Sequence, residues 1–159
     1  MGLTIRSATP ADAALILAFV RELADYENLL YEVEASEEDI LRDLFGAAPR
    51  VFCDIAEWDG APAGFALWFY NYSTFRGRHG LYLEDLYVRP ACRGRGIARA
   101  LMRQLAQRCI AEGLGRFEWW VLDWNEPAIR FYRSIGAVPM DEWTVQRVSG
   151  DALKALAES

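Results

Sequence analysis

Arg93-Gly94-Arg95-Gly96-Ile97-Ala98 is the stretch around which the rest of the chain is arranged. It lies between a predicted strand at 81–88 and the start of a long amphipathic helix. The two glycines let the backbone turn tightly and present bare amide groups, and the helix adds the positive end of its dipole. With Arg99 adding to the positive potential of the loop arginines, the stretch predicts a site for an anion such as phosphate.

Two common phosphate loops do not fit this stretch. A Walker loop ends in Gly-Lys-Ser or Gly-Lys-Thr, and neither triplet occurs in the chain. A dinucleotide fingerprint needs a third glycine where Arg99 stands. Taken alone, the loop therefore supports two interpretations equally: an anion site, or a glycine-rich turn with solvated arginines.

Composition narrows the class of protein. The 159 residues suit one domain, and the net charge of −6 argues against nucleic acid, which requires a basic face. The three cysteines, Cys53, Cys92 and Cys109, are widely spaced and the chain has one histidine, His79, so we expect neither a metal site nor disulfides. The N-terminal residues do not resemble a signal peptide, and no apolar run approaches the ~20 residues that span a bilayer. These features predict a cytoplasmic protein that does not enter membranes.

Patterning along the chain predicts a mixed α/β domain with three layers. Caps at Thr9 and Ser36 predict two helices, and Asp59-Gly60 predicts a hairpin turn. The strand at 117–122 is strongly apolar and is predicted to be central. The predicted strands are 3–6, 51–58, 64–70, 81–88, 117–122, 138–140 and 144–148, with a loop at 71–80, a short helix from 126 and a tail helix from 151.

Three motifs in order carry a family resemblance. Leu-Tyr-Leu-Glu-Asp-Leu-Tyr-Val-Arg-Pro at 81–90 precedes the glycine loop, and Trp-Asn-Glu-Pro-Ala-Ile-Arg-Phe-Tyr-Arg-Ser-Ile-Gly-Ala at 124–137 follows it. With Ile-Arg-x-Ala-Thr at 5–9, they resemble the GNAT superfamily of N-acetyltransferases, and within it the diamine (spermidine/spermine) and thialysine branch. The resemblance implies one domain over residues 1–159, with a mostly antiparallel mixed sheet, a splayed central strand pair, and helices on both faces.

The resemblance also implies acetyl-CoA as co-substrate and no metal. In the family a bulged strand leaves its neighbour, and the pantetheine arm pairs with the exposed backbone. The pyrophosphate rests on the glycine loop, and the following short helix contributes further contacts. The residues that match these positions are Leu86, Tyr87, Val88, Arg93, Gly94, Arg95, Gly96, Ile97, Ala98, Arg99, Asn125 and Ala128. For Asn125, a helix N-cap is an additional interpretation.

Two positions match the family's catalytic groups. Tyr132 matches a tyrosine near the cofactor sulfur, where a phenol can protonate the departing thiolate. Glu84 matches an acid that takes the proton of the amine, directly or through water, or holds the cationic amine. Asp85 next to it points to the opposite face if the strand is regular, although a bulge changes this. We therefore take Glu84 as the functional acid and Asp85 as structural.

The acceptor pocket is less sharply specified. Tyr26 and Glu27 match pocket positions of the family, and Glu118 and Trp119 are further candidates, although exposed charge and core packing explain these residues as well. The region 72–79 is basic where the polyamine branch carries an acid. A shorter or amino-acid-like amine, such as a thialysine-type substrate, is therefore favoured over a long polycation.

Three alternatives remain at this point. The same chemistry would serve acetylation of a protein lysine or N-terminus. A non-catalytic acyl-CoA-binding module is another possibility, which intact Glu84 and Tyr132 disfavour. Transfer through an acetyl-cysteine at Cys92 is the mechanistic rival of direct transfer, but no histidine lies near Cys92 in the sequence. The resemblance further implies a homodimer.

Overall fold

Five strands form one open sheet in the computed structural model, which describes residues 2–159. The order across the sheet is β1-β2-β3-β4-β5; neighbours from β1 to β4 are antiparallel, and β4 and β5 are parallel. This confirms the predicted mixed, mostly antiparallel sheet. The strands are β1 Leu3–Ser7, β2 Phe52–Trp58, β3 Ala61–Ser73, β4 Arg78–Val88 and β5 Phe117–Trp119.

Five α-helices accompany the sheet in the described residues, and the predicted caps at Thr9 and Ser36 precede the first two. Asp12 accepts hydrogen bonds from the backbone and hydroxyl of Thr9, and Asp39 accepts the same pair from Ser36. None of the helices in residues 2–159 is long and apolar enough to cross a membrane. The helices are α1 Ala13–Tyr26, α2 Glu37–Phe45, α3 Ile97–Glu112, α4 Glu126–Ser134 and α5 Gly150–Glu158.

Helices cover both faces of the sheet, as predicted. On one face, α1 and α2 bury an apolar cluster in which Phe19 stacks on Phe65 at 5.2 Å between ring centroids. On the other face, Leu101 and Leu105 of α3 are buried, and the guanidinium of Arg108 lies over the ring of Trp68 at 4.8 Å. Alternate residues of each strand therefore serve different helices.

The chain divides into two compact units. The first ends at Trp120 and contains the sheet with α1, α2 and α3. The second, Val121–Ser159, contains α4 and α5 joined by a segment without regular secondary structure. The single domain over residues 1–159 stays a prediction.

The segment 71–80 is not the predicted loop. β3 continues to Ser73 and β4 begins at Arg78, so that most of the segment belongs to a long hairpin. Aromatic pairs across the two strands extend the pairing: the rings of Tyr72 and His79 lie 5.0 Å apart. Such cross-strand contacts stabilise a hairpin whose polar and glycine residues alone indicate a loop.

Three further strand predictions are wrong. β5 ends at Trp119 rather than at 122, and it lies at the edge of the sheet rather than in its centre. The predicted strands at 138–140 and 144–148 are absent from the described structure, where 137–149 has no strand and Trp143 is 75% exposed. An alternating apolar pattern does not make a strand unless a neighbouring strand accepts its hydrogen bonds.

Candidate active site

A β-bulge in β4 shapes the centre of the first unit. Leu83 pairs with Trp68 on β3, yet Asp85 pairs with the adjacent Leu67, so Glu84 is the extra residue of β4. A bulge of this kind bends the strand and re-aims the side chains beside it. The expected bulge before the glycine loop is therefore present, and Glu84 occupies it.

The same strand leaves its parallel neighbour at the bulge. β5 pairs with Leu81, Tyr82 and Leu83, and its pairing ends there. From Asp85 to Val88, β4 remains paired with β3 on one side, and no described strand of the sheet pairs with its other side. Leu86, Tyr87 and Val88 thus lie on a free strand edge, which can accept an extended ligand as an additional strand.

The glycine loop continues this edge into a helix. Gly94 and Gly96 have φ values of 77° and 76°, a left-handed conformation that favours glycine, and Gly96 is the N-cap of α3. A Cβ added at either glycine would meet no atom within 4 Å, so conformation and not crowding requires glycine here. The amides of Ile97, Ala98 and Arg99 form the first turn of α3, where backbone N–H groups lack intrahelical partners.

Two of the loop arginines have structural contacts. The Nε of Arg93 donates to the carbonyl oxygen of Val88 at 3.0 Å, and its guanidinium lies 5.3 Å from the ring centre of Tyr26. Arg95 lies over the ring of Trp58 at 4.9 Å. Arg93 therefore ties the loop to β4, and both arginines keep positive charge beside the loop, while Arg99 is exposed in the first turn of α3.

In a regular strand, Asp85 would lie on the same face of the sheet as Leu83. Because of the bulge, it lies on the opposite face. Its partner Leu67 belongs to the apolar cluster under α1 and α2, so Asp85 shares that face. Burial, followed by the charges of Glu84 and Glu27, raises the pKa of the Asp85 carboxyl to about 7. The sequence interpretation left Asp85 as structural, and only the register of β4 against β3 reveals where it faces.

Glu27 ends α1 near Asp85. It is the C-cap residue of α1, it is half-buried, and burial raises the pKa of its carboxyl. Tyr26 precedes it and contacts Arg93, as described above. The charges of Glu27 and Glu84 both raise the pKa of the Asp85 carboxyl, which indicates that the three carboxylates lie near one another in the first unit.

The other two pocket candidates have structural explanations. One carboxylate oxygen of Glu118 accepts a hydrogen bond from the Asn71 side chain at 3.2 Å. The same oxygen forms an ion pair with Arg116 at 2.7 Å. Trp119 pairs with Leu83 in the sheet, and its ring packs on Phe117 at 4.9 Å. Their substrate-binding role stays a prediction.

The second unit carries the three remaining predicted residues. Asn125 is the N-cap of α4, and its side-chain oxygen accepts a hydrogen bond from the Ala128 amide at 3.4 Å. The N-cap interpretation of Asn125 is thus confirmed. Tyr132 lies in the same helix, where its ring is 5.5 Å from that of Phe131. The roles of Asn125, Ala128 and Tyr132 toward a ligand stay predictions.

The basic residues of 72–79 lie at the opposite end of β4 from the glycine loop. Arg78 begins β4, and Glu84 follows six residues later along the strand. At ~3.3 Å per residue, about 20 Å of strand separates them. Arg76 and Arg78 are exposed near Gly115, where their side chains would meet an added Cβ. A short molecule held at Glu84 would therefore not reach them.

A family model, curated relatives and a solved structure all match most of the chain. The family model "Acetyltransferase (GNAT) family" matches residues 17–137. The chain is 38% identical over 164 residues to thialysine N-epsilon-acetyltransferase of Bos taurus, covering 96% of both chains. It is 30% identical over 197 residues to L-ornithine N5-acetyltransferase NATA1 of Arabidopsis thaliana, covering 96% of this chain and 86% of that protein. Among solved structures, an integron cassette protein from the mobile metagenome of V. cholerae superimposes with a TM-score of 0.82 at 29% identity, covering 100% of this chain and 99% of that one.

Proposed function

Because the chain belongs to the GNAT family and is an N-acetyltransferase, we propose that it transfers the acetyl group of acetyl-CoA to a primary amine of a small molecule. Two relatives that match it over most of their length are named for such amines, thialysine and L-ornithine. Both names denote amino acids with a side-chain amine. A thialysine-like or ornithine-like acceptor is therefore the first candidate.

The observation that supports acetyl-CoA binding is the free edge of β4, which is followed by the left-handed Gly96 and the first turn of α3. A pantetheine arm can pair with the backbone of Leu86, Tyr87 and Val88 as an added strand. The pyrophosphate then meets the amides of the loop and the positive end of the helix. Arg93 and Arg95 keep the potential positive there while they hold the loop to its neighbours.

The transfer itself needs two proton movements. The acceptor amine loses a proton, its nitrogen attacks the thioester carbonyl, and the carbon–sulfur bond breaks to release a thiolate. In the proposal Glu84, in the bulge beside the free edge, receives the proton or holds the amine. Tyr132, on the basis of its sequence match, gives a proton to the thiolate.

The charges around the acceptor favour a cation. Glu27, Glu84 and Asp85 are all acidic, and no cation of the described residues forms an ion pair with them. The arginines of the β3–β4 hairpin would repel a long polycation but are too distant to anchor the carboxylate of a short one. The basic segment therefore argues against long polyamines, and the acidic group supports a short amine.

A coenzyme A-release assay tests this proposal. Acetyl-CoA would be supplied with thialysine, L-ornithine, spermidine and a lysine-containing peptide in parallel, and the free thiol would be measured. We expect turnover with thialysine or ornithine at a kcat/KM at least tenfold above that with spermidine. Preference for the peptide would support a protein acetyltransferase instead, and binding of acetyl-CoA without turnover of any amine would support a non-catalytic module.

We also propose a homodimer, on the basis of the family resemblance. Light scattering coupled to size exclusion would report the mass of the full chain in solution. The expected mass is twice the 18.0 kDa of one chain. A mass of one chain at micromolar concentration would contradict this part of the proposal.

A further inference from the structure

The bulge at Glu84 has a consequence for the residue that follows it. Without the bulge, Asp85 would share a face with Leu83, whose cross-strand partner is Trp68. With it, Asp85 shares a face with Leu67, under α1, while remaining within the stretch of β4 that β5 no longer covers. Asp85 therefore combines a half-buried position on the face under α1 with a location beside the free strand edge.

The carboxyl group of Asp85 is half-buried and has no partner. No hydrogen bond or ion pair reaches it from the residues that the structure describes. Asn71 Oδ1 is the one unpartnered side-chain polar atom in residues 2–159 that is fully shielded from solvent. The oxygens of Asp85 are therefore still open to an incoming group. Partial burial of a carboxylate without a donor costs free energy, which an arriving cation or proton offsets.

The groups that surround Asp85 are acidic or neutral. Glu84 and Tyr82 lie on its own strand, Cys53 faces it from β2, and Glu27 faces it from the end of α1. Burial raises the pKa of the Cys53 thiol and of the Tyr82 phenol, so both remain neutral near pH 7. With the pKa of Asp85 raised to about 7 by burial and by the two glutamates, its carboxylate is a stronger base than an ordinary aspartate.

We propose that Asp85 accepts the proton of the acceptor ammonium, and that Glu84 holds the amine in place. This inference rests on the proposed acetyltransferase function and assigns the proton transfer within its acidic group. Asp85 offers an unpartnered carboxylate beside the strand edge where the thioester would lie. Glu84 is the exposed residue of the bulge and is placed to contact the amine from the outside.

The ammonium N–H bond breaks and its proton goes to a carboxylate oxygen of Asp85, which leaves a neutral amine. The nitrogen lone pair forms the new bond to the acetyl carbon, and the carbon–sulfur bond breaks. The second proton on nitrogen goes to solvent as Tyr132 protonates the thiolate, and Tyr132 then regains a proton from solvent, so that the products are the amide, the free thiol and one proton. Asp85 then returns its proton to solvent.

Steady-state kinetics with acetyl-CoA and thialysine would test the assignment, comparing Asp85→Asn with Glu84→Gln as a matched carboxylate-to-amide control. We expect D85N to lower kcat by roughly 10²–10⁴-fold at pH 7, the usual contribution of a general base. Its residual rate should rise about tenfold per pH unit toward the pKa of the free amine, because only amine already deprotonated can react. E84Q should raise KM for thialysine and keep the wild-type profile, in which kcat rises to a plateau above the pKa of Asp85, about 7. A D85N enzyme whose kcat still reaches this plateau, instead of rising on toward the pKa of the amine, would overturn the proposal.

Unfolding measured against pH gives a readout that does not depend on turnover. The folded pKa of Asp85 lies above that of an unfolded aspartate, so the folded state binds the extra proton between about pH 4 and pH 7. Wild-type stability should therefore fall as pH rises through this window and level off above it. D85N should lack this component, so its Tm relative to wild type should be higher at pH 8 than at pH 4.5. Equal differences at both pH values would overturn the assignment.

Assays of wild type and D85N side by side distinguish failure of the base role from failure of the proposed function. Wild-type protein that releases no coenzyme A with any amine would remove the proposed function and the base role with it. Wild-type turnover combined with an unchanged pH profile in D85N would remove the base role alone. Isothermal titration should give the same affinity for acetyl-CoA in D85N and wild type, since the donor is held by the β4 backbone and the glycine loop.

Discussion

Gly96→Val will weaken acetyl-CoA binding by about 10²–10⁴-fold. Gly96 caps α3 with φ of 76°, a conformation in which a β-branched residue is a steric outlier. Valine would shift the backbone toward negative φ and turn the first amides of α3 away from the pyrophosphate. Each hydrogen bond to a charged group contributes ~1.5–3 kcal/mol, so the loss of two corresponds to this range of affinity. Isothermal titration with acetyl-CoA measures it directly.

The control for Gly96→Val is Gly77→Val. Gly77 also has a left-handed φ, 64°, and open space around its missing Cβ, but it lies in the β3–β4 turn. The two variants should lose similar stability, because the backbone strain is alike. Only Gly96→Val should lose acetyl-CoA affinity. A dissociation constant within threefold of wild type for a folded Gly96→Val protein would remove the glycine loop from the donor site.

Local signals in the sequence predict much of the fold. The capping boxes at Thr9 and Ser36 and the hairpin turn at Asp59 involve residues within three positions of each other, and all three are found as predicted. The left-handed conformation of the loop glycines likewise depends only on the residue at each position. Such features depend on short-range chemistry that a single sequence displays.

Strand boundaries depend on partners that a sequence does not display. The segment 71–80 is polar and rich in turn formers, yet pairing between Tyr72 and His79 extends the hairpin through most of it. The segments 138–140 and 144–148 alternate like strands, yet the structure places no strand in either. In each case the deciding factor is whether a second strand supplies hydrogen bonds and cross-strand contacts.

The candidate site likewise has a part that could be predicted from the sequence and a part that could not. The glycine loop could be predicted because its residues are contiguous. The contrast between Glu84 and Asp85 could not, because it depends on how β4 is registered against β3 through one extra residue. A shift of one residue moves a side chain to the other face of a sheet. The sequence therefore identifies the acidic pair, and the structure shows that Asp85 is the half-buried member and Glu84 the exposed one.

Tyr132→Phe will lower kcat by roughly 10²–10⁴-fold if Tyr132 protonates the departing thiolate. The substitution removes one oxygen atom and keeps the ring that packs 5.5 Å from Phe131 in α4. We therefore expect the affinity for acetyl-CoA and the Tm to remain close to those of wild type. The activity should also lose its decline at high pH, since phenylalanine has no proton to lose. Coenzyme A release measured between pH 6 and pH 10 would show both effects.

A second tyrosine provides the control for this prediction. Tyr31→Phe makes the same chemical change at a residue that is 80% exposed in the first unit, and its kcat should remain within twofold of wild type. Turnover by Tyr132→Phe at the wild-type rate would remove the acid role of Tyr132 and leave the family membership intact. A lower rate with an unchanged pH profile would indicate that Tyr132 positions the donor without giving it a proton. A lower rate together with a lost basic limb is the outcome that a proton donor requires, because only the phenol connects the two observations.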